Sequence, residues 1–360
     1  MIYLMWFSLA FIGTTIVTII LCNIAWRYNI IDDPKKNPGR KKQAKATPLL
    51  GGWAIYLIVA GLLIWLLPDL TAGYLLPKHI IGILLAGLVI MLGGTLDDIF
   101  SLAPRWQVIF PIIASIIVVA AGIGPNYITN PFGAVWRLDG WKLTLFTWQY
   151  LPYQLTVLAD IFTISWLMVT MYTTKLLDGL DGLVPGVTFI GSVIMFFLSI
   201  SPTVQQPETG LLALVFAGAA AGFLIWNFSP AKIYLGEGGA LLAGFMLGIL
   251  AILSGGKIAT ALLILGLPML DLAWVVIRRV WIEHKSPFSG DALHLHYQLR
   301  LLGWSDQMIA GMYYLITIIF GLSTLLFTGL AKLILLLLLG VISGIGLYLV
   351  YHKTKSLKHI

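Results

Sequence analysis

The sequence has very little charge: Asp, Glu, Lys and Arg make up 10% of its 360 residues, whereas 59% of the residues are hydrophobic. A soluble globular domain carries about 25% charged residues, so this composition excludes one. The single cysteine, Cys22, excludes disulfide frameworks, cysteine-rich zinc sites and thiol redox pairs. The composition that remains is that of a polytopic membrane protein.

Long hydrophobic runs are what the sequence has instead. A hydrocarbon core requires about 20 apolar residues per helix, and eleven runs near that length are bounded by charge, Gly or Pro. They lie near residues 3–25, 49–67, 79–96, 106–123, 155–173, 184–200, 210–226, 239–254, 258–277, 307–328 and 333–352. We therefore expect an all-α, polytopic integral membrane bundle of about 11 transmembrane helices that forms a single domain over residues 1–360. Because no Lys or Arg precedes Arg27, the first run is expected to remain as a helix and not to be cleaved as a signal peptide.

The basic residues indicate which side of the membrane each loop faces. If the sides alternate from an external N-terminus, 17 of the 22 Lys and Arg residues fall on one face. Positive charge near helix ends is retained in the cytoplasm, so that face is expected to be cytoplasmic, with the C-terminus on the same side. The expected location is the plasma (inner) membrane. The net charge of +7 then reflects loop orientation, and nucleic acid is not an expected partner.

Ten of the 15 acidic residues fall on this same face. The positive-inside rule gives carboxylates no reason to gather there, so chemistry at the inner surface is the natural explanation. Four stretches of the sequence carry that chemistry. The longest external connection, residues 124–154, is rich in Trp and Tyr and is expected to rest at the membrane interface.

The first stretch is Gly93-Gly94-Thr-Leu-Asp97-Asp98, at the inner end of the third run. Adjacent carboxylates at an apolar helix end repel each other, so a fold keeps them only with a compensating cation, proton or set of strong donors. A divalent metal ion is the simplest compensation. The alternative is a polar helix end that only terminates the span. A single acid would favour that alternative more than this pair of acids does.

The second stretch is Lys175-Leu-Leu-Asp178-Gly179-Leu-Asp181-Gly182. Carboxylates three residues apart share one face of a helical turn, and the glycines let backbone approach a ligand closely. Two carboxylates and a lysine suit Mg²⁺ and phosphates. The alternative is a glycine-rich turn between two spans.

The third stretch runs from Asn227 through Lys232 to Gly236-Glu237-Gly238. Glycines around a single Glu before a new helix would bring an oxygen ligand and backbone amides together at a helix N-terminus, where anions are favoured. Taken alone, this pattern is weak evidence for a binding site.

The fourth stretch contains Arg278, Arg279, Asp291, His294 and His296. Its cations would bind a pyrophosphate, Arg through bidentate hydrogen bonds and His as a hydrogen-bond donor. Topogenic anchoring of the two arginines is an equally good explanation. Zinc binding by the histidines is disfavoured because no cysteine lies nearby.

In this order the motifs resemble the polyprenyl-phosphate N-acetylhexosamine-1-phosphate transferases of glycosyltransferase family 4, the superfamily containing MraY, TarO and WecA. The resemblance covers about residues 30 to 305 and is closer to the WecA and TarO branch than to MraY. The similar stretches are Thr47 to Gly52, Leu96-Asp97-Asp98, Asp178 to Leu183, Asn227 to Gly239, Pro268 to Arg279, Ser286-Pro-Phe and His294-Leu-His296.

The resemblance implies a reaction in which GlcNAc-1-phosphate, or another N-acetylhexosamine 1-phosphate, passes from its UDP donor to undecaprenyl phosphate with release of UMP. This is the first membrane step of a cell-envelope polysaccharide pathway. The resemblance also implies Mg²⁺, with Mn²⁺ as a substitute, and a homodimer. Asp97 and Asp98 would position or deprotonate the lipid phosphate, Asp178 and Asp181 would serve the metal and nucleotide, and Glu237 would bind the metal. The substrate-binding candidates are Lys175, Asn227, Lys232, Arg278, Arg279, Asp291, His294 and His296.

The sequence departs from the family pattern at several of these positions. Tyr172 and Lys175 stand where the family has Asn, Glu237 stands where it has a metal-binding Asp, Tyr297 replaces a frequent third His, and Ser101 replaces an acid. We expect Lys175 to supply positive charge to the donor diphosphate in place of amide hydrogen bonds.

Three other functions are alternatives to this one. A phospho-MurNAc-pentapeptide transferase is the neighbouring alternative within the superfamily. An ion-coupled secondary transporter would place acids near the middle of the bilayer and show two related halves, and the sequence has neither feature. A lipid phosphotransferase with CDP-activated donors would place an Arg shortly after its Asp-Gly element, but no Arg follows Asp181 until Arg278.

Overall fold

The computed structural model describes residues 2–33, 46–130, 132–133, 135–148, 151–282, 284 and 294–357. The helices are α1 Ile2–Arg27, α2 Gly51–Trp65, α3 Leu67–Leu70, α4 Pro77–Phe100, α5 Pro104–Gln107, α6 Ile109–Ala120, α7 Val157–Leu177, α8 Leu183–Ile200, α9 Pro207–Asn227, α10 Gly236–Leu253, α11 Ile258–Ile264, α12 Gly266–Ile277, α13 Leu295–Leu301, α14 Asp306–Leu326 and α15 Leu330–Leu357. A π-helical segment, Arg278–Ile282, continues α12. The strands are β1 Ile31–Asp32, β2 Thr47–Pro48, β3 Tyr127–Thr129, β4 Val135–Arg137, β5 Lys142–Trp148 and β6 Leu151–Thr156.

The prediction of a helical, multi-pass membrane protein is confirmed. Eight helices in the described part of the chain are long and apolar enough to cross a bilayer, namely α1, α4, α7, α8, α9, α10, α14 and α15. The outermost of them expose apolar side chains along their length, as lipid-facing helices do; Ile12, Ile16 and Ile345 are each more than half exposed.

The count of eleven spans is not confirmed. Each predicted run lies on a helix or a pair of helices, but α2 has 15 residues, which at a rise of 1.5 Å per residue span about 22 Å, less than a hydrocarbon core of about 30 Å. The helical region 104–120 is also short. The bent pair α11 and α12 brings the count to nine if it forms one span.

The run 258–277, expected to be one helix, is broken between Ile264 and Gly266 with a bend of 79°. Pro268 explains the break, because proline has no N–H to donate to the carbonyl four residues earlier and its ring clashes with that carbonyl. The freed carbonyl of Ile264 instead accepts a 3.4 Å hydrogen bond from Thr317 Oγ1 on α14.

Residues 124–154 contain strands that the all-α expectation did not include. β3 pairs with β4 and β5 pairs with β6, each in antiparallel register. The rings of Trp136 and Trp141 are each 59% exposed. The interfacial role of this region stays a prediction.

Helix α10 lies at the centre of the bundle and packs against α2, α4, α7 and α8. Every one of its residues except Glu237 is buried. Gly94 of α4 meets Gly238 of α10 so closely that a Cβ on Gly94 would lie 2.1 Å from Gly238 N. Because only glycine permits this approach, the pair brings the Asp97-Asp98 end of α4 to the N-terminus of α10.

Candidate active site

Asp97 and Asp98 lie at the end of α4, and each is held by a different set of donors. Asp97 is buried, and its Oδ1 accepts hydrogen bonds from the Leu102 N–H at 2.9 Å and from Gln107 Nε2 at 3.1 Å. Asp98 accepts the Glu237 N–H, which lies 3.3 and 3.2 Å from its two oxygens. This N–H belongs to the first turn of α10, where backbone donors lack partners within the helix and favour an anion.

Lys175, in the last turn of α7, is the cation at the centre of these acids. Its Nζ lies 3.0 Å from Glu237 Oε2 and 3.7 Å from Asp97 Oδ2. It also donates a 3.0 Å hydrogen bond to Gln107 Oε1. The Lys175 side chain is 14% exposed and that of Glu237 is 38% exposed, so the lysine is largely buried while the carboxylate is open to solvent.

Asp178 and Asp181 form the turn that follows α7. Burial raises the pKa of Asp178 to about 8, with further increases from the negative charges of Glu237 and Asp181. At neutral pH Asp178 therefore holds a proton in the absence of a bound cation. Asp181 Oδ2 accepts the Ala231 N–H at 2.9 Å, although burial still raises the pKa of Asp181.

Asn227 joins two loops of the site through its side chain. Its Oδ1 accepts the Gly182 N–H at 2.9 Å, and its Nδ2 donates to the Ile233 carbonyl at 2.8 Å. Both ends of the amide thus bind backbone. Lys232, another predicted substrate ligand, has an exposed side chain whose Nζ lies over the ring of Trp226, 4.8 Å from its centre.

The histidine motif is anchored to α12 by a buried carboxylate. Asp271 Oδ2 lies 3.0 Å from His294 Nδ1, and Asp271 Oδ1 accepts the Leu295 N–H at 2.9 Å. The rings of His294 and His296 are stacked in parallel, with centres 5.8 Å apart. A carboxylate on one imidazole nitrogen fixes the ring orientation and leaves the other nitrogen for a ligand.

His296 lies against the turn that carries Asp178. Its side chain is fully buried, and its Nε2 lies 2.3 Å from the position of a Cβ on Gly179. Burial lowers the pKa of His296 to about 3, with smaller contributions from His294 and Arg300. His296 is therefore neutral at pH 7 and provides a hydrogen-bonding group, not a cation. Neither ring nitrogen has a hydrogen-bond partner within the described part of the chain.

Arg278 and Arg279 open the π-helical segment after α12. Their side chains are 1% and 5% exposed, and the Arg278 guanidinium carbon lies 5.8 Å from the centre of the Tyr351 ring on α15. The choice between phosphate binding and topogenic anchoring for the two arginines stays a prediction. Asp291, the remaining substrate-binding candidate, lies outside the described residues.

Sequence reasoning missed Gln107 and Tyr234. Gln107 bridges Asp97 and Lys175, but nothing in the sequence connects an amide on α5 to these two charges. The Tyr234 hydroxyl hydrogen-bonds with Thr47, and its pKa is raised to about 12 by burial and by nearby carboxylates, Asp181 foremost. Tyr234 lies inside the 227–239 stretch but carries no charge, so the sequence did not mark it as a site residue.

The oxygen donors of the site suit a magnesium ion in their chemistry. Asp178 and Glu237 present carboxylates, the ligand type that Mg²⁺ prefers, and the excess of negative charge here favours a cation. Across the residues that the structure describes, no three His, Cys, Asp or Glu side chains are grouped as a complete metal site. The Glu237 carboxylate is instead bound by Lys175.

The site therefore gathers four separate parts of the chain. Asp98 contacts the N-terminus of α10 and interacts electrostatically with Asp178. The turn that carries Asp178 contacts His296, and the ring of His296 stacks on that of His294. Carboxylates, a buried lysine and imidazoles in one place suit a reaction between phosphate groups, in which charge must be both neutralised and positioned.

Comparisons with known proteins agree with this chemistry. The model of glycosyl transferase family 4 matches residues 80–255. The probable undecaprenyl-phosphate N-acetylglucosaminyl 1-phosphate transferase of Bacillus subtilis is 30% identical over 327 residues, which cover 89% of this chain and 83% of that protein. The decaprenyl-phosphate N-acetylglucosaminephosphotransferase of Mycolicibacterium smegmatis is 28% identical over 86% of this chain and 79% of its own. The phospho-N-acetylmuramoyl-pentapeptide-transferase of Limosilactobacillus fermentum is 30% identical over 55% of this chain and 60% of its own.

Proposed function

The chain belongs to glycosyl transferase family 4, and we propose that it transfers GlcNAc-1-phosphate from UDP-GlcNAc to undecaprenyl phosphate, releasing UMP. The similarity to the Bacillus subtilis transferase over most of both chains carries this proposal. The GlcNAc-phosphate transferases also match a larger share of the chain than the pentapeptide transferase does, which favours the simpler sugar donor.

In the proposed reaction an oxygen of the lipid phosphate forms a bond to the β-phosphorus of UDP-GlcNAc. The bond between this phosphorus and the oxygen that bridges to the α-phosphate breaks, and UMP leaves with that oxygen and its electron pair. Both substrates are anions, so the barrier is lowered chiefly by positive charge and by hydrogen-bond donors placed in advance. Lys175, the two arginines and His294 are the groups suited to that task.

The carboxylates take complementary roles. Asp97 and Asp98 orient the lipid phosphate or accept its last proton, a role that suits residues at the end of a spanning helix. Asp178 and Asp181 face the nucleotide region, next to His296. The remaining candidates, Asn227 and Lys232, shape the loop before α10, and their contact with substrate stays a prediction.

Magnesium is part of this proposal, with Asp178 and Glu237 as the residues that would hold it. When bound, such an ion supplies positive charge to the diphosphate during transfer. The raised pKa of Asp178 supports a cation here, because a buried carboxylate that keeps its proton at neutral pH has too little positive charge around it.

The membrane arrangement that goes with this function has the site at the cytoplasmic face of the plasma membrane and the N-terminus outside. The distribution of Lys and Arg supports this orientation. It requires an odd number of spans, which the nine counted with the bent pair and the eleven predicted runs both satisfy. A homodimer stays a prediction.

The proposal is tested by UMP release from purified protein with undecaprenyl phosphate and a panel of UDP-sugars, with and without Mg²⁺. Release from UDP-GlcNAc that requires the lipid phosphate is expected. Release confined to UDP-MurNAc-pentapeptide would move the protein to the pentapeptide branch. The variants Asp97→Asn and Glu237→Gln test the site; near-normal turnover in both would show that these roles are wrong.

A further inference from the structure

Two departures from the family pattern meet in one ion pair. Lys175 and Glu237 are both positions at which the sequence differs from the pattern of the family that it resembles. In the structure the Lys175 Nζ lies 3.0 Å from Glu237 Oε2. The longer acid and the new cation therefore contact each other, although 62 positions separate them in the sequence.

The residues around this pair hold the Lys175 side chain in its position. Its ammonium also contacts Gln107 Oε1 at 3.0 Å and Asp97 Oδ2 at 3.7 Å, and these contacts tie it to α4 and α5. A largely buried lysine with these partners is costly to displace, because moving it away from Glu237 removes its nearest anionic partner and leaves Asp97 at 3.7 Å. A divalent ion that binds Glu237 must overcome this cost.

Lys175 does not, however, replace such an ion. One positive charge faces two carboxylates, Asp97 and Glu237, directly. Negative charge remains in excess, so the site keeps its attraction for a cation. The lysine pairs with one proposed metal ligand, Glu237, and leaves the other carboxylates of the site to a cation.

We propose that Lys175 is an internal counter-ion that competes with the divalent cation for Glu237, so that the site without substrate binds the cation weakly. The diphosphate of the donor offers the ammonium another anionic partner, and the cation then gains access to Glu237. The inference rests on the proposed function in one respect, that Glu237 is a metal ligand.

The test measures Mn²⁺ binding to the purified full-length protein without nucleotide or lipid, from the paramagnetic resonance signal of free Mn²⁺. Lys175→Met removes the charge and keeps the length of the side chain. We expect it to bind Mn²⁺ about 10-fold or more tightly than the wild type, because the competing charge is gone. Lys175→Arg, the matched control, keeps the charge and is expected to bind as weakly as the wild type.

Two further variants make the result specific. In the double variant Lys175→Met, Glu237→Gln the gain should disappear, because the freed ligand is absent. Should Lys175→Met fail to give a monodisperse protein, Lys175→Asn carries the same expectation. Equal Mn²⁺ affinity in the wild type and the neutral variants overturns the inference, and so does a gain in Lys175→Arg or one that persists in the double variant.

The outcome is separable from that of the proposed function. If the wild type releases UMP from UDP-GlcNAc and the neutral variants gain no Mn²⁺ affinity, the inference fails alone. If no UDP-sugar is turned over, the proposed function fails whatever the metal measurements show.

Discussion

The imidazole of His296 lies directly against Gly179, with Nε2 2.3 Å from where a Cβ of that residue would be. This contact joins two separate parts of the site, the turn after α7 and the histidine motif at the start of α13. Because nothing larger than a hydrogen atom fits between them, the glycine sets the distance between the Asp178 carboxylate and the imidazoles.

Gly179→Ala is therefore expected to lower turnover by at least about 100-fold, since a misplacement of about 1 Å in a catalytic site costs that much. The measurement is UMP release at saturating donor. Gly61→Ala is the control, because a Cβ on Gly61 has nothing within 4 Å. Equal activity of both variants would mean that the spacing of the two segments is unimportant.

Gly94→Ala tests the approach of α4 to α10. The added Cβ would lie 2.1 Å from both Cα and N of Gly238, and backbone atoms cannot rotate away as a side chain can. We expect a loss of stability of about 1–3 kcal/mol or more, seen as a lower melting temperature in detergent. The control Gly340→Ala, in an open part of α15, should melt as the wild type does.

Asp271→Asn tests how His294 is oriented. With the carboxylate present, His294 Nδ1–H donates to Asp271 while the Leu295 N–H occupies the other oxygen. In the variant the amide oxygen can accept from Leu295, so the amide NH₂ faces Nδ1 and favours the opposite tautomer. We expect kcat to fall, because the imidazole then presents the wrong nitrogen to the substrate. A kcat equal to that of the wild type would contradict the assigned role.

The buried acid Asp178 makes stability depend on pH in a defined direction. Its folded-state pKa of about 8 lies above the ordinary aspartate value of 3.8, so between these values the folded protein holds a proton that the unfolded chain has released. The contribution of Asp178 to stability therefore falls as the pH rises toward about 8. Without divalent ions, the wild type should lose more melting temperature than Asp178→Asn between about pH 6 and about pH 9. The same loss in both proteins would show that Asp178 is not the titrating group.

Asn227→Asp separates a structural from a substrate-binding role. The variant keeps the acceptor for the Gly182 N–H but places a carboxylate oxygen against the Ile233 carbonyl. The loss of one buried hydrogen bond with an unpaired acceptor costs about 1–3 kcal/mol, so a lower melting temperature is expected with little change in the donor KM of the folded fraction. A raised KM at unchanged stability would instead favour direct contact with the donor.

The sequence was sufficient to predict the helical membrane class and the stretches that meet in the site. Long apolar runs leave few alternatives to spanning helices, and acids such as Asp97 and Asp178 at the ends of such runs are too costly to keep without a purpose. The histidine motif was visible because imidazoles and arginines in one stretch suit the binding of a pyrophosphate.

The contacts between those stretches were beyond sequence reasoning. Lys175 and Glu237 each stood out as a departure from the family pattern, but only the packing of α7 on α10 shows that they are partners. Gln107 and Tyr234 act through geometry and carry no charge. The break before Gly266 depends on a proline within an otherwise continuous apolar run, where hydropathy alone predicts a straight helix.

Whether these stretches form one pocket for a UDP-sugar and a lipid phosphate is tested most directly by UMP release from the wild type and from Asp178→Asn, both purified in the same detergent. We predict UMP from UDP-GlcNAc that depends on undecaprenyl phosphate in the wild type, and a loss of at least about 100-fold in the variant, as expected for removal of a group that stabilises transferred charge. Turnover without the lipid acceptor, or an Asp178→Asn variant as active as the wild type, would contradict it.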